Sequence, residues 1–108
     1  MAQTTPELTA IIARFRQELE KVGIHCEQIL LYGSQRWDTA AEGSDIDLIV
    51  ISPDWAPLNG RERLELLGVV AARLLEPIQA QGWTPEEVAT RQIGLFWQEI
   101  LEREAVVV

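Results

Sequence analysis

The chain has 108 residues, is 47% hydrophobic and 24% charged, and carries a net charge of -8. Its size supports one hydrophobic core, so a single domain over residues 1–108 is expected, with no room for a second catalytic domain. An excess of 17 acidic over 9 basic residues argues against the broad phosphate-backbone footprint that long nucleic acids require. Apolar runs all shorter than about 18 residues argue against a membrane span.

The N-terminal MAQTTPELTA has no basic start followed by an apolar block and does not read as a signal peptide, so a cytoplasmic location is the expectation. Thr4–Lys21 reads as a helix. Thr4 with Glu7 fits a capping box, Pro6 fits an early helical position, and Leu8, Ile11, Ile12, Phe15, Leu19 and Val22 recur at helical spacing until Gly23. His25 has no second histidine to complete a metal site and is expected in a loop or at a strand edge. Cys26 has neither a disulfide partner nor a CxxC neighbour and is expected to act as a small apolar side chain.

Glu27–Tyr32 is a strand candidate that runs directly into Gly33-Ser34, where a short helix is expected through about Trp37. Ser34 is either an N-cap alone or a phosphate-facing group, and Arg36 either a positioning cation or a solvated surface residue. Asp38–Ser44 is polar, glycine-containing loop. Asp45–Ile51 is the second strand, with Ile46, Leu48 and Val50 on one face and Ile49 and Ile51 continuing the face that carries Asp45 and Asp47.

Ser52–Gly60 holds Pro53, Pro57, Asn59 and Gly60 and reads as loop, with Trp55 as a lid on the local core. Arg61–Glu76 is a long helix with an apolar stripe of Leu64, Leu67, Val70, Ala71, Leu74 and Leu75. Arg61, Glu62, Arg63, Glu65 and Arg73 are expected on its solvated face. Pro77–Trp83 alternates weakly enough to suggest only a poor strand. Thr84, Pro85 and Glu87 start a last helix by a second capping box, and Val88, Ile93, Phe96, Trp97, Ile100 and Leu101 give it a wide apolar surface. The apolar tail Ala105–Val108 is either a terminal strand or a contact for another chain, and the apolar surfaces leave an oligomer possible. The order predicts a small α/β (α+β) domain, a mixed β-sheet with helices packed on it, and the absence of GxGxxG argues against a doubly wound dinucleotide-binding sheet.

Chemistry concentrates in Leu30–Ile51. A glycine turn leading into a helix offers backbone N-H groups to an anion. Two aspartates at i and i+2 on a strand share one face, with Cα atoms roughly 6.5 to 7 Å apart, close enough for their oxygens to meet on one or two Mg2+ ions about 3.5 to 4 Å apart. The bland alternative is that either aspartate caps a backbone group or pairs with an arginine. A Mg-chelated single nucleotide stays compatible with the net charge, since the metal offsets the repulsion between carboxylates and phosphates.

Gly33-Ser34, ten intervening residues, then Asp45-Ile46-Asp47 resembles the polymerase-β-like nucleotidyltransferase superfamily, and the size resembles its minimal nucleotidyltransferase (MNT) members. The run Gln79 through Val88 and the closing Phe96–Ile100 are similar to that family as well, so the likeness spans nearly the whole chain. The resemblance implies that Gly33 and Ser34, with Arg36 near them, bind the phosphates of a nucleoside triphosphate and that Asp45 and Asp47 bind Mg2+ and are catalytic. It implies transfer of AMP from ATP to a partner hydroxyl, and the small members are similar to antitoxins of toxin–antitoxin pairs that modify a helical HEPN-type partner. The sequence departs from the family twice: Gln79 stands where a third carboxylate is usual, and Asp38 stands where a glycine is usual. A neutral amide cannot act as a carboxylate base. Glu76 or Asp38 is a candidate substitute, and a nucleotide-binding or partner-docking module without catalysis is the alternative reading.

Overall fold

The computed structural model describes residues 6–33 and 45–108. The expected Thr4 cap and the expected Ser34–Trp37 helix lie outside them. Helix α1, Pro6–Lys21, forms because Leu8, Ile12, Phe15 and Leu19 repeat at helical spacing and bury one stripe. Gly23, at φ 92°, ends it in a left-handed turn that a side chain would strain.

Four strands follow: β1 Gln28–Tyr32, β2 Ile46–Ile51, β3 Ile78–Trp83 and β4 Val106–Val107. They make one mixed sheet in the order β3-β2-β1-β4. β1 pairs antiparallel with both β2 and β4, whereas β3 runs parallel to β2. A parallel pair requires a crossover, which α2, Gly60–Leu74, supplies.

Side-chain alternation divides the core. Ile29, Leu31, Ile46, Leu48, Val50 and Ile78 face α1 and α2, against Phe15, Leu19, Leu67 and Val70. Leu30, Ile49 and Ile51 face the other way, against Trp83, Trp97, Ile100 and Leu101. Both faces of β2 are therefore covered, as its nearly continuous apolar sequence implies.

Several expectations need correction. α2 begins one residue earlier than its charges suggest, because Asn59 and Glu62 form a reciprocal capping box. Its buried stripe is Arg63, Leu67, Val70 and Ala71, with Leu74 partly buried, so Leu64 is half-exposed and Leu75 is fully outside. Arg63 is thus not on the solvated face: it is 6% exposed. Its guanidinium donates to Leu58 O at 2.9 Å and Gly82 O at 3.1 Å, and grips both Glu87 oxygens at 2.7 and 3.0 Å.

The last helix is not continuous. α3 spans Pro85–Ala89 and α4 spans Gly94–Glu99, which passes into a π-helical turn over Ile100–Glu104. Between them Arg91 sits at φ 59° and Gly94 at φ 84°, which re-aims α4. The Thr84–Glu87 capping box forms as expected. Phe96, counted in the apolar surface, is largely exposed, whereas Ile93 and Ile100 are buried.

Trp55 goes further inside than a lid. It is fully buried in a short 3-10 turn, Pro53–Trp55, and its Nε1 donates to Val50 O at 3.1 Å. Gly82 makes this possible, since a Cβ there would lie 2.6 Å from Trp55 Cε2. The tail forms a strand beside β1, with Leu30 opposite Val107 and Leu31 opposite Val106.

Candidate functional site

Asp45 lies just before β2 and is exposed, whereas Asp47 is within the strand and half-buried. Strand register places Tyr32 of β1 and Gln79 of β3 on either side of Asp47. By parity these three side chains share the face of Ile49 and Ile51. They form a row across three strands at the rim of the covered face.

Gly33 closes that row at the end of β1. It sits at φ 76°, and a Cβ there would overlap Asp47 Oδ2 and approach its Cγ to 3.3 Å. Both the backbone conformation and the space require glycine. The chain therefore passes directly over the Asp47 carboxylate.

Burial, and then the Asp45 charge, push the Asp47 carboxyl above the usual carboxylate range. Neither influence is offset by a cation among the described residues. Tyr32 responds to the same field: burial first and Asp47 second push its phenol up to about 12. It keeps its proton at neutral pH and is a hydrogen-bond donor. Its ring meets Trp97 edge-on at 5.7 Å, and Trp97 in turn contacts Phe96 at 5.0 Å and Trp83 at 6.3 Å. An aromatic wall thus borders the carboxylates where α4 crosses the sheet.

Of the residues expected in the site, Gly33, Asp45 and Asp47 come together; Ser34, Arg36 and Asp38 lie outside the described residues. Gln79 stands beside Asp47, at the position expected from sequence. Glu76 does not join them: its carboxylate pairs with Arg14 of α1 at 3.3 Å. His25 is bonded to Asp54, by its N-H at 2.8 Å and its Nδ1 at 3.0 Å, away from the row. Cys26 is half-buried, and burial pushes its thiol up to about 11, which makes it an unreactive packing group. Sequence reading missed Tyr32 and Trp97. The signal for Tyr32 was available, because it immediately precedes the glycine turn on an antiparallel strand; the contact with Trp97 depends on the break before α4.

The donor chemistry fits a hard divalent cation. Two carboxylates on one strand rim, one raised by burial and then by its neighbour's charge, with backbone instead of a side chain above it, provide oxygen ligands in need of positive charge. A mixed sheet with two carboxylates opening a central strand, and a glycine turn packed on one of them, defines an α+β fold with an oxygen-rich rim. Residues 11–105 match the family model described as nucleotidyltransferase domain, and the chain belongs to that family. No curated protein matched the sequence.

Proposed function

We propose that the protein is a Mg2+-dependent nucleotidyltransferase that moves AMP from ATP to a hydroxyl of a partner protein, acting as the antitoxin of a pair with a small helical HEPN-type partner. The observation that carries this reading is the Asp45–Asp47 pair, with Gly33 over Asp47 and no compensating cation among the described residues. These residues would hold Mg2+, and Gly33, with Ser34 and Arg36 following it in sequence, would bind the triphosphate. When bound, Mg2+ supplies Lewis-acid stabilisation of charge on the phosphates. Gly33 keeps a side chain out of the space over Asp47, and Tyr32 offers a neutral O-H at the rim. In the row Tyr32–Asp47–Gln79, only Asp47 can accept a proton at neutral pH.

Gln79 supports a second reading, in which the domain binds Mg-nucleotide or its partner without turnover. Incubation with labelled ATP, Mg2+ and the product of the adjacent gene tests the first: label should reach the partner, and Asp45→Asn with Asp47→Asn should lower the rate by about 100-fold or more, since losing only a hydrogen-bonding partner of a metal ligand already costs about 10- to 100-fold. Undiminished labelling by the double variant would overturn the assignment. Calorimetry separates the readings, since nucleotide binding without transfer to an authentic partner selects the second.

A further inference from the structure

The β3 side of the sheet ends in an edge strand. Natural edges are blunted by charge, proline or a bulge. Ile78–Trp83, reading IQAQGW, contains none of the three, and its pairing with β2 is continuous over all six residues.

The hydrogen-bonding groups of this edge can be assigned. Ile46 N donates to Pro77 O at 2.8 Å and Ser52 N donates to Trp83 O at 3.1 Å. With the parallel register, these bonds turn the N-H and C=O groups of 79, 81 and 83 toward β2, and those of 78, 80 and 82 outward. Two outward groups are already used within the chain. Ile78 N donates to Glu76 O at 2.8 Å, and Gly82 O accepts from Arg63 Nη1 at 3.1 Å. Four remain with no bond among the described residues: Ile78 O, Ala80 N, Ala80 O and Gly82 N.

We propose that this edge pairs with the same edge of a second copy, antiparallel about a two-fold axis at Ala80. Such a pairing sets Ala80 opposite Ala80 and Ile78 opposite Gly82 of the other copy. Ala80 N and O exchange bonds across the axis, and each Gly82 N donates to the other copy's Ile78 O. The four open groups of each copy are satisfied by the four open groups of the other. Ile78 N and Gly82 O, which face each other in the same end pairs, make no bond across the axis, because Glu76 O and Arg63 already hold them.

Side chains and charge agree with that occupant. Gln79 of each copy faces Gln81 of the other, and amides both donate and accept. A chain with net charge -8 repels its copy at most faces, yet the groove of about 380 Å³ along this edge is lined by Leu64, Leu67, Gly68, Ile78, Ala80 and the two glutamines, with no charged side chain. Leu64 is 49% exposed, and a Cβ on Gly68 would meet nothing within 4 Å, so α2 leaves room beside the edge for the second copy. The assembly is a closed two-fold dimer with one eight-stranded sheet, and it brings Gln81 of each copy beside Gln79 at the rim of the other's carboxylate row.

Sedimentation equilibrium of the full chain, without nucleotide or partner protein, tests this: a mass twice that of the monomer is expected. Ala80→Pro deletes the central N-H and should raise the dissociation constant by about 30-fold or more, two lost hydrogen bonds at about five- to sixfold each. Circular dichroism checks that this variant folds. Hydrogen exchange on the wild-type chain reads the same contact without mutation, and the amides of Ala80 and Gly82 should slow as concentration rises. A monomer with concentration-independent exchange at both amides overturns the proposal. So does a dimer that a folded Ala80→Pro variant leaves intact, or an edge protected only when a different protein is added.

Discussion

Burial, and then the charge of Asp45, push the Asp47 carboxyl above its ordinary pKa. A carboxyl whose pKa is raised in the folded state stabilises the fold below its ordinary pKa, and this contribution is lost as pH rises through the folded value. At neutral pH its charge therefore works against folding of the metal-free chain. Asp47→Asn, which keeps shape and removes the charge, should raise the melting temperature at pH 7 in the presence of a chelator while removing transfer activity. A melting temperature that falls would mean that the carboxylate is compensated. Arg63 and Glu87 show the reverse case. The Arg63 guanidinium, first by direct hydrogen bonding, and the Thr84 N-H hold the Glu87 carboxyl below its ordinary value. That stability is present above the ordinary carboxylate pKa and is lost as pH falls through the depressed one. Arg63→Met removes the guanidinium donor from Leu58 O, Gly82 O and Glu87, leaving Glu87 only the Thr84 N-H, and should cost about 3 kcal/mol by urea denaturation at pH 7. The deficit of Glu87→Gln relative to wild type should shrink between pH 7 and pH 3; a constant deficit would place its cause in packing instead of charge.

At the scale of elements, α2 carries a removable strain. Leu75, its C-cap, stands at φ 56°, is 90% exposed, and its N-H reaches back to Ala71 O and Ala72 O. A β-carbon in the left-handed region costs roughly 1 kcal/mol, and an exposed leucine returns little burial. Leu75→Gly should therefore stabilise the chain by roughly 0.5 to 1 kcal/mol in thermal denaturation, and a loss would show that Leu75 packs against something outside this chain. The same helix shows why sequence reading placed the element and most of its face but not the edges of that face. The expected stripe 64, 67, 70, 71, 74 and 75 shares 67, 70, 71 and 74 with the buried one, and the position it misses, 63, carries a charge. Burial of Arg63 requires Glu87, 24 residues later, and no local pattern carries that distance. β3 read as weak because Gln79, Gln81 and Gly82 have low strand propensity; parallel pairing to β2 and the space needed by Trp55 override it. β2 and its aspartates were legible because alternation and a flanking turn are local signals. The break before α4 has one local mark, Gly94, but Arg91, the other left-handed residue there, carries none, and the apolar residues on both sides read as one helix.

For the whole molecule, net charge and site geometry make competing predictions about metal ions. A chain of net charge -8 is stabilised by added NaCl, because screening relieves self-repulsion, and at about 0.15 M salt exposed charges farther apart than about 8 Å are largely screened from one another. A site built on Asp45 and Asp47 behaves differently: ligand at ten times its dissociation constant stabilises by about 1.4 kcal/mol, worth roughly 6 to 11 °C for a domain of this size. Melting curves in 0.15 M NaCl should thus rise on adding Mg2+ with ATP and return on adding chelator. In Asp45→Asn with Asp47→Asn the rise should vanish, while the response to NaCl alone persists. An equal rise in the double variant would assign the effect to screening and remove the metal site. A rise confined to the wild-type chain, without transfer of label to the partner, would keep the site and point to Gln79, where an amide stands directly beside Asp47.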